Sequence, residues 1–381
     1  MQIIMPENTE FVIKTLHGAG FRAYIVGGCV RDLLLGAVPA DYDVCTDAKP
    51  EDITRIFAKT VSTGIKHGTV TVINGKTATE VTTFRTDGDY KDFRRPENVE
   101  FVSDLKADLS RRDFTVNAMC YNETEGLIDC FGGKSDLEAR LLRAVGDPKL
   151  RFQEDALRIL RLFRFCSTLG FSPEKQTFDA AIKNARLLEN ISAQRIEKEL
   201  RRAACGVAPQ SLIPLINTGV LPTLRADGRI ERIPCLPQND DLRFFAFLYL
   251  TSDDIGAVLD YLKCSNGFKK YAQNLARTAK WQTGSRADIK RLLGALENSI
   301  FDLLYFKAEI LSEDTAEAII EAKEIAERGE PYKISQLAID GGDVAAAGYG
   351  GKEISNKLRY LLEKVIANPK LNNRDTLLKL I

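Results

Sequence analysis

Near residue 150 the hydrophobic pattern of this chain changes period. Before that point, short β-branched runs alternate with turn residues. Tyr24–Val26, Asp43–Cys45, Thr69–Ile73, Thr79–Phe84 and Glu100–Val102 read as strands, because apolar positions recur every second residue or in blocks closed by Gly, Asn or Asp. Asn74-Gly75-Lys76 predicts a hairpin turn between the third and fourth of these. Helical spacing is confined there to the residues after Gly28 and to Pro50–Ala58. From Arg151 onward the period is 3.6. Residues 151–169, 173–188, 193–204, 241–249, 254–263, 286–296, 313–327 and 353–366 read as helices, and only Ile230–Ile233 offers a competing strand. The expected fold class is α+β, a small mixed-sheet head followed by a long all-helical part.

Composition narrows the function classes. A chain of 381 residues predicts two or three packing units. Lys plus Arg number 53, as do Asp plus Glu, so no global field drives the protein onto nucleic acid or membrane, and a polyanion site has to come from local clustering. No run of 18 apolar residues occurs, so no membrane span is expected. The start, Met1 to Glu7, lacks the basic and apolar regions of a signal peptide. The eight cysteines are scattered without a CxxC pair. That pattern argues against a zinc or disulfide framework and predicts reduced thiols in the cytoplasm. Nothing in the chain implies a protein partner.

The first constellation is Gly27-Gly28-Cys29-Val30-Arg31-Asp32, followed by Asp41-Tyr42-Asp43. Glycines after a strand let backbone N–H groups approach a phosphate, and Arg31 adds a bidentate grip. Taken alone, the two glycines are also what a simple strand-to-helix turn would show. Side chains two apart on a strand share one face, so Asp41 and Asp43 point to one place. Two such carboxylates repel unless cations neutralise them, and Mg2+ prefers oxygen ligands. Glu80, in the strand Thr79–Phe84, is the candidate third carboxylate, with an exposed edge glutamate as the alternative.

Three further stretches stand out. Arg111-Arg112-Asp113 pairs two phosphate-binding side chains with an acceptor for a sugar hydroxyl, although a charged helix start would look the same. In Glu154-Asp155-Ala156-Leu157-Arg158, continued by Arg161 and Arg164, the charged residues fall on one half of a helix with Ile159, Leu160 and Phe163 opposite. Such a stripe is ordinarily solvated, but residues 140–205 hold 14 Lys/Arg against 8 Asp/Glu, a local excess that suits a phosphate-bearing ligand. An Asp and an Arg one turn apart also offer acceptor and donors to a base edge. Finally, Arg85–Asn98 is a polar stretch longer than ordinary strand connections.

Together these motifs resemble those of class II tRNA nucleotidyltransferases, the CCA-adding enzyme family of the polymerase β-type superfamily, in order, type and spacing. The resemblance makes Asp41 and Asp43 the catalytic metal ligands, and Glu80 stays beside them as the candidate third catalytic carboxylate read from its strand. It makes Gly28 and Arg31 the triphosphate grip, and Arg112 and Asp113 the ribose contacts. Asp155 and Arg158 would read the base edge of CTP or ATP, with Arg161 and Arg164 in support. Asp129-Cys130-Phe131-Gly132-Gly133 resembles a hinge, Arg195–Leu200 a neck-stabilising motif, and Ile339–Gly351 part of the tail. Implied domains are a nucleotidyltransferase head 1–148, a neck 149–205, a body 206–300 and a tRNA-binding tail 301–381. The implied activity is template-independent addition of CCA to the tRNA 3′ end, by two-metal nucleotidyl transfer. In this family a flexible loop at the position of Arg85–Asn98 serves the final adenosine. The alternatives are an enzyme that adds only the terminal adenosine, a poly(A) polymerase, a small-molecule nucleotidyltransferase and a non-catalytic RNA-binding protein. The strongly basic extension of bacterial poly(A) polymerases is missing, and the last two readings leave the helical half or the Asp pair without a purpose.

Overall fold

Alternating β-branched residues between positions 23 and 129 assemble, in the computed structural model, into one seven-stranded sheet. The structure describes residues 4–88, 90–91, 95–96 and 99–381, which form two compact units, Met1–Pro222 and Thr223–Ile381. The strands up to residue 129 are β1 (Ala23–Val26), β2 (Asp43–Thr46), β3 (Thr60–Gly64), β4 (Thr69–Asn74), β5 (Thr77–Thr83), β6 (Arg85–Asp87), β7 (Tyr90–Lys91), β8 (Arg95–Pro96), β9 (Val99–Phe101), β10 (Met119–Asn122) and β11 (Gly126–Asp129). The sheet runs β11-β10-β1-β2-β5-β4-β3. Its one parallel pair is β2–β5. The expected hairpin joins β4 to β5, with Gly75 at φ +60°.

Helices α1 (Glu7–Gly18), α2 (Gly28–Leu34), α3 (Pro50–Ile56), α4 (Leu105–Ser110) and α5 (Gly133–Glu138) accompany the sheet. Period-2 alternation gives it two buried sides. Tyr24, Val26, Cys45 and Cys120 form one core with Phe84 and with Leu105 and Leu109 of α4. Ile25, Val44 and Val81, of opposite parity, are also fully buried, as are Val12 and Leu16 of α1. Strands β3, β10 and β11 and helices α1, α4 and α5 were not anticipated by periodicity.

The helical neck corrects one expectation that matters for the site. Residues 151–169 are not one helix. They divide into α6 (Pro148–Glu154) and α7 (Leu157–Leu169), and Asp155 between them is extended, at φ −134° and ψ 102°. Its carboxylate accepts the Leu157 N–H at 3.1 Å, the local side-chain bond by which Asp competes with helix continuation. Nor is the arginine stripe a solvated face, because Arg158 and Arg164 are buried. Helices α8 (Lys175–Lys183) and α9 (Ala193–Ala204) complete the neck.

In the second unit, helices cover residues 240–251, 255–261, 266–278, 286–296, 300–311, 316–327 and 352–367. Those at 266–278 and 300–311 were not expected from the pattern. Ile230–Ile233 is part of a 3-10 helix, Gly228–Cys235, rather than a strand. Within residues 85–98, expected as a polar surface stretch, the described segments 85–87, 90–91 and 95–96 carry paired backbone. Strand β6 pairs with β9 and β7 with β8, both antiparallel. Residues 89, 92–94, 97 and 98 of that stretch lie outside the described residues. No helix among the described residues is long and apolar enough to cross a membrane.

Candidate active site

The acidic cleft follows from strand register. Asp43 opens β2 and lies opposite Glu80 of β5 in the parallel pair, while Asp41 stands two residues before the strand, exposed. All three carboxylates line a cavity of about 430 Å3, together with Asn8 and Thr79. Asn8 Nδ2 donates to Thr79 Oγ1 at 2.9 Å, fastening the start of α1 over β5. Burial, then repulsion from Asp41 and Glu80, pushes the Asp43 carboxyl above its ordinary range, against the opposing pull of Arg112.

That crowded charge, only partly offset by Arg112, on an all-oxygen donor set suits a hard divalent cation, so Asp41 and Asp43 fit one. Glu80 is adjacent in register but not gathered further in. Among the described residues no group of three His, Cys, Asp or Glu side chains stands at metal-holding distances.

Arg112 connects the cleft to the rest of the site. A Cβ built on Gly27 would lie 2.9 Å from Arg112 Nη1, so the guanidinium occupies the room that the missing side chain leaves. Gly27 also needs its freedom for φ +85° at the start of α2. Its N–H is spent on the Met119 carbonyl at 3.1 Å. Burial works against the charge on Arg112, yet Asp108, Asp43 and Asp113 hold its pKa above normal. Its Nε is buried and has no hydrogen-bond partner among the described residues.

Beyond Arg112 runs a continuous polar chain. Arg31 donates from Nη1 to Asn117 Oδ1 at 2.6 Å and pairs with Asp32 at 2.7 Å. Asn117 Nδ2 donates to Asp113 Oδ1 at 3.1 Å, and Arg161 Nε donates to Asp113 Oδ2 at 2.8 Å. Burial pushes the Asp113 carboxyl up, but Arg161 and the Asn117 amide outweigh it and hold the group well below the usual carboxylate range. Asp113 is an anion at any physiological pH.

The remaining candidates are already engaged. Arg158 donates to Glu154 Oε2 at 2.8 Å and to the Arg111 carbonyl at 2.7 Å. Asp155 pairs with Arg195 at 3.3 Å. Arg164 pairs with Glu199 of α9 at 2.5 Å, and burial lowers its pKa to about 10.

Two residues that sequence reasoning passed over organise the cluster. Asn117 is the junction between the glycine loop and Asp113. Phe165, almost fully buried, carries the guanidiniums of Arg31, Arg161 and Arg164 at 5.2, 5.3 and 3.7 Å from its centroid. The signal for Phe165 was present in the chain, since positions 161, 164 and 165 share one helical face. Asn117 sits four residues after Asp113 with nothing to mark it.

Comparison with known proteins places this geometry. Residues 23–143 match the family model described as the poly A polymerase head domain, and residues 170–224 match one described as a probable RNA and SrmB binding site of polymerase A. A CCA-adding enzyme of Limosilactobacillus fermentum is 36% identical over 383 residues, covering 97% of this chain and 94% of the relative. Another, from Geobacillus thermodenitrificans, is 49% identical over 221 residues, 57% of this chain and 55% of that protein. Among solved structures, the Bacillus stearothermophilus CCA-adding enzyme in complex with CTP superposes with a TM-score of 0.82 at 29% identity, covering 98% of this chain and 95% of the other. A Thermotoga maritima CCA-adding enzyme complexed with tRNA, 21% identical with a TM-score of 0.66 over 99% of this chain and 95% of the other, shares the fold.

Proposed function

This chain belongs to the CCA-adding enzyme family, and on that premise we propose that it adds CCA to the tRNA 3′ end from CTP and ATP, releasing pyrophosphate, without a nucleic-acid template. The observation that carries this reading is the position of Arg112. It lies in the field of Asp43 on one side, while its sequence neighbour Asp113 is tied to Arg161 of α7 on the other. Phosphate chemistry and nucleotide recognition are thereby joined through adjacent residues.

Asp41 and Asp43 would hold the divalent cations, for which we propose Mg2+. Bound there, they supply Lewis-acid stabilisation of the phosphate oxygens during in-line displacement. Glu80 is assigned beside them as the third carboxylate. Arg31 orients the triphosphate beside the backbone of Gly28, and Arg112 contacts the sugar. Asp113, kept ionised, accepts from a sugar hydroxyl.

We assign base selection to Asp155 and Arg158. A bound base then has to replace Arg195 as a partner of Asp155, and Glu154 or the Arg111 carbonyl as partners of Arg158. The cost of that exchange is offset only by a base whose edge fits both side chains. Arg161 and Arg164 keep Phe165 and Asp113 in place beneath it. Head 1–148 and neck 149–205 carry the reaction in this reading, while body 206–300 and tail 301–381 bind tRNA. The eight cysteines, none of which forms a disulfide, support a cytoplasmic setting.

The test is a tRNA lacking its 3′ end, incubated with CTP, ATP or both, with products sized at single-nucleotide resolution. Two additions with CTP alone and three with both nucleotides are expected. Extension by ATP alone, and only of tRNAs already ending in CC, would assign an adenosine-only enzyme instead. Open-ended adenosine tracts would assign a poly(A) polymerase.

A further inference from the structure

We propose that the second unit holds a site for a single unstacked RNA nucleotide, with its base against Trp281 and its phosphate between Arg277 and Arg359. The inference rests on the reading that the chain acts on tRNA, and adds to it a specific seat for one residue of that RNA.

A cavity of about 610 Å3 opens there, lined by Trp281 and Arg277 at the end of the helix 266–278, by helix 286–296, by residues 332–335 and by Arg359 of the last long helix. That volume lies within the ~300–1,000 Å3 range of small-ligand sites. It suits one nucleotide rather than a duplex.

The walls are built tightly. The Tyr332 carbonyl stands 2.7 Å from where a Cβ on Gly294 would be, so the absent side chain lets residues 332–335 close on the helix. Lys290, 1% exposed, pairs with Glu330 at 3.0 Å and fixes the start of that strip. Lys333 pairs with Glu297 at 2.6 Å, and Arg291 with Glu363 at 2.8 Å.

Those pairs neutralise part of the lining and leave two exceptions. Arg277 and Arg359 are exposed and have no carboxylate partner among the described residues. The Arg277 guanidinium stands 5.9 Å from the Trp281 ring centroid, and 38% of that tryptophan remains exposed. A flat indole beside two uncompensated guanidiniums offers a stacking surface and a phosphate grip together, the pairing by which single-stranded nucleic acid is held. An acidic peptide would use the guanidiniums and leave the ring idle, so RNA is favoured.

Trp281 is the chain's single tryptophan, so its emission reads the cavity directly. The probe is tRNA lacking its 3′ end, titrated into the full chain, with nucleotide addition measured on the same mixtures. Saturable quenching of Trp281 is expected. Trp281→Leu and Arg359→Glu should each raise the KM for tRNA about tenfold, with kcat and the KM for CTP at parent values, and Trp281→Phe should restore tRNA affinity. Unchanged emission with a tRNA that the parent extends, or parent KM for tRNA in both damaging variants, would overturn the site while leaving the enzyme's function standing. Equal quenching by polyglutamate would overturn it in favour of an acidic peptide. Failure of the parent to extend any tRNA strikes the functional reading itself, a result separable from the emission.

Discussion

Asp43 and Glu80 are register partners on the one parallel strand pair of the sheet. Parallel pairing of β2 with β5 sets two acidic side chains on neighbouring strands, with Asp41 two residues away. Burial first, and then repulsion from Asp41 and Glu80, raises the Asp43 pKa, so holding Asp43 ionised there costs stability.

Asp43→Asn should abolish nucleotide addition and yet raise thermal stability at pH 7 when no divalent cation is present. A carboxyl whose folded pKa is raised contributes its stability below the unfolded value, about 4, and loses it as pH rises through the folded value. The Asn variant keeps the neutral form at every pH. Its advantage over the parent should be full at pH 7 and vanish below pH ~4. Saturating Mg2+ should stabilise the parent, by ~2.7 kcal/mol at 100 times its dissociation constant, and leave the variant unmoved. Thermal melts across pH with and without the ion check both halves. A variant less stable than the parent at pH 7 contradicts the assignment.

Gly27→Ala should damage nucleotide binding by displacing Arg112. The substitution strains a φ of +85° and puts a methyl 2.9 Å from Arg112 Nη1. Strain alone costs roughly 1–2 kcal/mol. Gly36→Ala is the control, because Gly36 has φ +76° and open space around its missing side chain. Both variants should melt lower, but only Gly27→Ala should raise the KM for CTP, by about tenfold or more. Matching KM values in the two would mean that Arg112 does not depend on the glycine.

Arg161→Ala should destabilise the protein by ~2–3 kcal/mol, below the usual range for a broken buried pair because Arg161 is partly exposed. In the parent, Asp113 is held below the normal range, so its stabilising share is present above pH ~4 and lost only as pH falls further. Without Arg161 the buried carboxyl rises. The variant's deficit should then be larger at pH 8 than at pH 5. Denaturant titrations at those two pH values decide the matter, and an equal deficit at both would show that Asp113 is not held by Arg161.

What the chain revealed before its structure divides along physical lines. Helices α9 and 286–296 were legible to the residue because each has a full amphipathic period and few competing side-chain bonds. The nearness of Asp41 to Asp43 was legible from their spacing alone, although Asp41 lies just before β2 rather than on it. Glu80 joins them only through the pairing of β2 with β5, which spacing does not reveal. The break at Asp155 was not legible, since the 3.6 spacing continues across it while the Asp155 backbone turns extended and its carboxylate caps the start of α7 at the Leu157 N–H. Helix 300–311 was hidden by its near-continuous apolar run, which suits a buried strand or helix equally. The burial of Arg158 and Arg164 was not legible, because sequence does not show which helix faces meet other elements. Asn117 left no trace at all, its role being set by where β10 brings it relative to α2.

The break at Asp155 separates two jobs that a single helix would have merged. Asp155 accepts from Leu157 N–H with Oδ1 and pairs with Arg195 through Oδ2. Alanine removes both bonds and should cost about 1 kcal/mol for the lost cap. Asn keeps an acceptor for Leu157, and should hold stability within a few tenths of a kcal/mol of the parent. Base choice should respond differently. Both variants lose the carboxylate that we assign to the base edge, and a lost base-edge hydrogen bond removes ~1–3 kcal/mol of discrimination. UTP and GTP incorporation should therefore rise roughly tenfold relative to CTP in Asn and Ala alike. Single-turnover incorporation of each of the four nucleotides, measured beside thermal melts, separates the two jobs. If misincorporation tracks stability, rising in Ala and absent in Asn, Asp155 serves the turn between α6 and α7 and the base is read elsewhere.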